Sequence, residues 1–262
     1  MRSLTLGSIK VQQAGNTDSN GANIESALSR NLPELSPAVC SHDGYFVIVA
    51  SGTSLPDHVE AIRREQQNGR PLCAVNGAHD FLVENGITPN LFVSVDPRNT
   101  VVPNVARKQQ DCIYLLASRC NPELFDHLED CKVMLWHAWS EEPECKVWLG
   151  KKLGIAGGTT SGLRAINVGY IMGFRNFILY GMDSCLGPDR DRKRFSGERV
   201  GNAYVTDVIV GGRRFWCNGA LAQQATEFQE YYKYLEGLRI DAKGDGLIAA
   251  IINERRKRGY PA

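Results

Sequence analysis

The sequence holds no apolar run approaching the roughly 20 residues that a membrane-spanning helix needs. Its amino terminus, MRSLTLGSIKVQQ, places one early arginine before a stretch that is not continuously apolar, which is not the pattern of a secretory leader. Net charge is nearly absent as well, with 30 Lys+Arg against 29 Asp+Glu and a balance of +1 at pH 7. No bulk field therefore argues for nucleic acid or an anionic bilayer as partner. Close metal-ligating cysteine pairs are also missing. The eight cysteines (Cys40, Cys73, Cys112, Cys120, Cys131, Cys145, Cys185 and Cys217) contain no C-x-x-C, and Cys73 and Cys112 lie in or beside apolar runs. Buried free thiols in a reducing, cytoplasmic compartment are the expectation.

What the chain does have is a hydrophobic fraction of 43% in 262 residues, enough for a sizeable core in one domain. Residues 1–37 are rich in Asn, Ser and Gly and are expected to form an extended or partly ordered arm, with a short helix at Ile24–Arg30. Residues 38–262 then alternate. Strands are expected at Phe46–Ala50, Leu72–Val75, Leu91–Val95, Ile113–Ala117, Val133–Trp136 and Asn176–Tyr180. Helices fall between them, including Val101–Gln109, one opening at Pro122 and one over Glu141–Leu153. Short strands alternating with helices predict a Rossmann-like α/β fold, a mostly parallel sheet with helices on both faces. Beyond it, Gly211-Gly212 between Val205–Val210 and Arg213–Cys217 signals a small β-hairpin. C-terminal helices over Gly219–Leu235 and Leu247–Arg258 follow a last strand at Leu238–Ile240. The first carries Leu221, Ala225, Phe228, Tyr232 and Leu235 on one stripe, which an assembly role, including a homo-oligomer, could use.

In an open parallel sheet, ligands gather beyond the carboxyl ends of the strands. Four places answer that description. Ser51-Gly52-Thr53-Ser54 follows the first strand, and its small residues allow backbone N–H groups near a phosphate, or simply a tight turn. Asn76 ends the second strand, where an amide can read a base or ribose, or make a turn with Gly77. Asp96 ends the third, suited to Mg²⁺ carrying a polyphosphate or to capping a helix, with Arg98 beside it for a phosphate oxygen. The loop Gly157-Gly158-Thr159-Thr160-Ser161-Gly162 opens a helix as an anion cradle. Asp183 comes off the next strand on the same rim as a second metal carboxylate or a cap. The basic stretch within Gly187–Gly201 either closes over a polyphosphate or is solvated and neutralised by Asp189 and Asp191. Trp136, His137 and Trp139 either stack on a ligand or belong to the core.

The segments ASGTSL, AVNGAHDFLVENGITPNLFVSVDP, GGTTSGLRAINVGYIMGFRNFILYGMDSC and IDAKGDGLIAAI, in that order, resemble the family of archaeal 6-hydroxymethylpterin diphosphokinases and motility accessory factors. The likeness spans about Phe46–Ile252. The segment from GGTTSG onward is also similar to small bacterial sialyltransferases that use CMP-sugars. That second resemblance implies nucleotide contacts at Gly52, Asn76, Thr160, Ser161 and Gly162. Those sialyltransferases use a histidine base downstream of the aspartate strand, and this chain has no histidine after His137. The resemblance implies a nucleotide-dependent transferase, in one form passing diphosphate from Mg²⁺–ATP to a hydroxymethyl acceptor such as a pterin. In the other form a nucleotide-sugar serves a small-molecule or glycan acceptor, and an aspartate is the base. A nucleotide-binding module without catalysis is the reading from a different class. In the first form Asp96, Asp183 and Arg98 are the catalytic residues and Ser51–Ser54, Asn76 and Gly158–Gly162 bind the nucleotide.

Overall fold

The computed structural model describes residues 17–140, 147–201 and 204–260. An eight-stranded sheet forms in the order β10-β7-β1-β2-β3-β4-β5-β6, and every pairing in it is parallel. Its strands are β1 His42–Val49, β2 Leu72–Val75, β3 Leu91–Ser94, β4 Ile113–Ala117, β5 Lys132–Ala138, β6 Gly154–Ile155, β7 Phe174–Tyr180 and β10 Arg239–Ala242. The remaining two, β8 Val205–Val210 and β9 Arg213–Asn218, make the antiparallel hairpin. The helices are α1 Thr17–Ser29, α2 Val59–Gln67, α3 Ala78–Glu84, α4 Pro122–His127, α5 Ser161–Ile171, α6 Gly219–Tyr234 and α7 Leu247–Lys257. The fold is the expected Rossmann-like α/β sheet with a hairpin and C-terminal helices. Among the described residues no helix is long and apolar enough to cross a membrane.

Strands covered on both faces carry continuous apolar runs, and Phe46–Val49, Leu72–Val75 and Phe92–Val93 are buried without alternation. Helix α5 packs across β1, β3 and β7. Gly169 permits that approach, because a Cβ there would stand 2.7 Å from the Phe177 ring and 2.8 Å from Phe46. Only a residue without a side chain lets helix and sheet meet so closely.

Some boundaries differ from the sequence expectation. The helix expected at Ile24–Arg30 begins at Thr17, and it buries Ile24 and Ala27. In place of a helix over Val101–Gln109 there is a 3₁₀ segment, Asn99–Val105, with Pro103 inside it. Proline removes the donor and clashes with the preceding turn, so α-helical bonding is not sustained there. Of the helix expected over Glu141–Leu153, residues 141–146 lie outside the described residues, and 147–149 are helical. The stripe on α6 is turned inward: Ala225 and Phe228 are buried, and Leu221 and Leu235 are partly buried against the core. The side chain of Tyr232 lies outside the described residues. The described cysteines are free, with Cys73, Cys112, Cys120 and Cys217 buried. Burial pushes the Cys112, Cys120 and Cys217 thiols up to about 12, so they behave as small hydrophobes. Trp136 is a core residue whose Nε1 donates to the Leu115 carbonyl at 3.1 Å.

The connections from β1 step outward to β6 on one side, while β7 and then β10 lie on the other. The crevice between β1 and β7 is thus the topological switch point, where such sheets place ligands. Pairing continues past the strand ends, Gly52 N donating to the Gly181 carbonyl at 2.8 Å. Asp183 then locks the two loops. Its Oδ2 accepts from Ser54 N at 2.9 Å and its Oδ1 from Ser54 Oγ at 2.6 Å. Thr53 Oγ1 stands 3.4 Å from Oδ2, and Leu247 N, opening α7, donates to the Asp183 carbonyl at 2.8 Å. Gly52 has no room for a side chain, since a Cβ would sit 2.4 Å from the Gly181 oxygen.

Removing a buried acceptor strands its donors. Asp183→Ala is therefore expected to cost about 2 kcal/mol, a fall of about 5 °C in thermal midpoint. An unchanged midpoint in a fluorescence melt refutes the lock. A second expectation concerns pH. Burial is the main cause holding both His79 and His137 below the ordinary histidine range, so in the folded chain both resist protonation. As pH falls through about 6.5, the unfolded chain takes up protons that the folded chain refuses, and stability declines. Midpoints measured from pH 7.5 to 5.5 should fall, and the double variant His79→Gln/His137→Gln should flatten that slope. An equal slope in the variant removes these histidines as the cause.

Candidate functional site

Two adjoining cavities open at the switch point. The first, about 200 Å³, is lined by Ser51, Gly52, Asn76, Thr160, Ser161, Gly162 and Asp183, with Lys193 and Arg194 reaching it from the basic segment. The second, about 140 Å³, holds Asp96 and Arg98 against Gly158, Thr159, Thr160 and Ser161. Asn76, Thr160, Ser161 and Arg194 border both. The sequence-expected residues thus converge, with two exceptions. Thr53 and Ser54 do not line either cavity; they face a third hollow beyond Asp183.

Asn76 is the most informative of these side chains. Its φ is +48°, a left-handed backbone that a non-glycine residue adopts at a cost. Its Oδ1 is buried with no hydrogen-bond partner. An acceptor desolvated in this way normally has a partner, and the residue lines both cavities.

The glycine-threonine loop is held rather than empty. Thr160 caps α5 by accepting from Leu163 N at 3.3 Å. Glu227 accepts from Thr159 N at 2.9 Å and from its hydroxyl at 3.0 Å, so that part of the expected anion cradle is already taken by a carboxylate. Gln224 donates to Thr160 Oγ1 and accepts from Ser184 Oγ, both at 2.8 Å. Tyr231 donates to the carbonyls of Gly157 and Leu163, both at 2.9 Å. From below, Arg164 donates to the carbonyls of Gly158, Ile155 and Trp139. Ser161 Oγ accepts from Val95 N at 3.2 Å, tying α5 to the strand end that carries Asp96. What remains for an anion are the first N–H groups of α5, at Ser161 and Gly162, where the helix dipole is positive.

Sequence reasoning missed Gln224, Glu227 and Tyr231. Their signal was a polar stripe at helical spacing, lying beside the apolar stripe of the same helix.

The two aspartates proposed for Mg²⁺ line different cavities, and both are engaged. Asp183 serves Ser54. Asp96 takes Arg98 Nε on Oδ1 at 2.8 Å, Nη2 on Oδ2 at 2.6 Å, and the Arg98 backbone N on Oδ1 at 3.1 Å. That pairing is the main cause raising the Arg98 guanidinium above its ordinary value. Among the described residues no group of three His, Cys, Asp or Glu side chains is placed to hold a metal ion. The described side chains alone thus form no closed metal cage, whereas magnesium carried by a polyphosphate needs only one or two carboxylates. The basic segment is largely self-neutralised, Arg192 pairing with Asp189, Arg199 with Asp191, and Lys193 and Arg194 with Glu198.

Comparison with known proteins agrees with this architecture. The fold is similar to that of the MAf glycosyltransferase from Magnetospirillum magneticum AMB-1, with a TM-score of 0.69 and 14% identity over 90% of this chain. The chain spans 38% of that protein's length. No curated protein matches the chain. The family described as 6-hydroxymethylpterin diphosphokinase MptE-like matches residues 20–189, from α1 through every strand of the sheet except β10 and on past the Asp183 loop. Over that majority of its length, with the switch-point loops inside it, the chain belongs to the MptE-like family.

Proposed function

We propose that the chain transfers a glycosyl group from a nucleotide-sugar to an acceptor hydroxyl, without a resident metal. The observation that carries the nucleotide site is Asn76, a residue at a left-handed backbone that lines both cavities and whose Oδ1 is buried without a partner. A base amino group or ribose hydroxyl would satisfy it. The phosphate would lie on the N–H groups of Ser161 and Gly162, with Lys193 and Arg194 above it. What favours glycosyl over diphosphoryl transfer is the state of the carboxylates. Transfer from ATP relies on metal ions bridging the phosphates, and here Asp183 is spent on a turn while Asp96 lines the other cavity, so the two carboxylates do not meet on one ion.

In this reading Asp96 is the base. Arg98 holds its carboxylate in place, and its exposed guanidinium can move off one oxygen as the acceptor arrives. The acceptor oxygen attacks the anomeric carbon, the bond from that carbon to the phosphate oxygen breaks, and the nucleotide leaves with its electron pair. The acceptor proton passes to Asp96 and then to solvent. A fold neighbour that is a glycosyltransferase supports the reading. A second reading, diphosphate transfer from ATP to a hydroxymethyl acceptor such as a pterin, is favoured by the description of the family.

A thermal-shift series separates the two, since a ligand that binds only the folded state raises the midpoint. CMP, or a CMP- or UDP-sugar, should stabilise the chain equally with and without Mg²⁺. Stabilisation by ATP alone, and only with Mg²⁺, overturns the proposal in favour of the second reading. Asn76→Gly relieves the backbone, so it should keep its own midpoint while weakening the nucleotide about tenfold through one lost hydrogen bond. Asp96→Asn should lower kcat for release of nucleotide from the bound donor at least about a hundredfold, with KM and midpoint little changed. Full activity in that variant removes Asp96 as the base.

A further inference from the structure

Beyond Asp183 lies a third hollow of about 510 Å³, between the basic segment and the hairpin. Neither the nucleotide site nor the transfer step uses it. Its volume lies within the range of small-molecule sites. The basic segment and β9 are joined here by Leu186 N donating to the Trp216 carbonyl at 2.7 Å.

This hollow is not a general positive patch. Arg192 faces Asp189, Arg213 faces Asp245 and Arg214 faces Asp207. Arg190 differs. Its guanidinium lies 4.3 Å from the centre of the half-buried Trp216 ring, and among the described residues no carboxylate pairs with it. Stacking on an indole fixes the guanidinium plane and leaves its N–H edge free for a planar or tetrahedral oxyanion. The backbone is bent to present it: Arg190 has φ +59°, and its N–H closes a turn on the Gly187 carbonyl at 2.9 Å. Left-handed non-glycine residues concentrate at functional positions because their surroundings must hold them there.

The rest of the lining restricts what the anion can be part of. Asp57 and Asp245 border the same hollow, and they repel a polyanion while accepting hydrogen bonds from hydroxyls. Pro56, Pro188 and Phe215 supply apolar surface. We infer that this hollow binds a saccharide bearing one anionic group, a carboxylate or a phosphate, with Arg190 on Trp216 as the anion hook. The site stands apart from the nucleotide cavity and does not depend on which group is transferred there.

Isothermal titration of the full chain tests this with galacturonate against galactose and with glucose 6-phosphate against glucose. At least one acidic sugar should bind at least about tenfold more tightly than its neutral counterpart, the margin of a charge-assisted hydrogen bond. Which of the two it is assigns the anionic group as carboxylate or phosphate. Arg190→Gln should lose about that tenfold while its affinity for CMP stays that of the wild type. Arg190→Gly, which suits the left-handed backbone, should lose the same binding with a midpoint equal to or above the wild type. Neutral and acidic sugars binding alike, or no acidic sugar binding, overturns the inference. Unchanged binding in Arg190→Gln overturns it too, and a lowered midpoint in Arg190→Gly makes the stack structural. Displacement of the acidic sugar by CMP or ATP merges the hollow with the nucleotide site and overturns a separate one. Failure of every nucleotide to bind, with Arg190-dependent sugar binding intact, defeats the glycosyl-transfer reading and leaves this site standing.

Discussion

The carboxylate of Asp183 accepts from the backbone and hydroxyl of Ser54 while its own carbonyl receives Leu247 N. Three chain segments far apart in sequence, after β1, after β7 and at the start of α7, meet on one residue. Each is a loop or helix end with unsatisfied backbone groups, and a buried loop is tolerable only when those groups find partners. The lock also partitions the rim. The first cavity lies on the Asn76 side and the arginine–tryptophan hollow on the other, with Asp183 and Cys185 bordering both. A carboxylate at a strand end thus acts here as a wall, which a motif alone does not distinguish from a metal ligand.

The loop that opens α5 depends on residues outside the family-matched segment. Gln224, Glu227 and Tyr231 all project from α6, whereas the family match ends at residue 189. The loop donors at Thr159 are consumed by Glu227, so an incoming anion meets only the first turn of the helix. The sheet supplies the position of the site, and the C-terminal region sets the geometry of its most glycine-rich part. A truncated chain ending at the hairpin would keep the motif and lose what shapes it.

The fold was legible because each central strand is a continuous apolar run and each crossover begins with a turn or capping residue. Two elements misread from sequence have local causes. Pro103 sits inside the segment expected to be a helix, and its missing donor outweighs the periodicity of the valines around it. Helix α1 opens in TDSNGAN, a composition that favours loops, yet Asn23 Nδ2 donates to the Arg119 carbonyl at 3.0 Å and stands 3.3 Å from that of Pro97. Tertiary partners override the propensity of those polar residues. The placement of Asn76, Thr160, Ser161 and Asp96 around the candidate cavities was legible because the carboxyl ends of parallel strands gather on one rim. The commitments of Asp183 and Asp96 were not, since they depend on Ser54 and Arg98 side-chain geometry that spacing does not encode.

Backbone strain gives an independent view of where binding surfaces lie. Among the described residues, four non-glycine positions have positive φ: Asn31, Asn76, Ser184 and Arg190. Asn76 and Ser184 line the first cavity and Arg190 the hollow beyond Asp183. Each costs of order 1 kcal/mol or more relative to an ordinary backbone, and glycine would remove that cost at no steric penalty. The chain spends many glycines on its other left-handed turns, so the substitution is within its ordinary vocabulary. A side chain is kept at these positions, and Ser184 explains its own by bonding Gln224. Asn76 carries a buried, unpartnered amide oxygen beside the first cavity, and Arg190 a guanidinium that stacks on Trp216 with no carboxylate partner among the described residues. Neither the Asn76 Oδ1 nor the Arg190 guanidinium has a hydrogen-bond partner among the described residues, so under the readings proposed above the repayment comes from what those two groups hold.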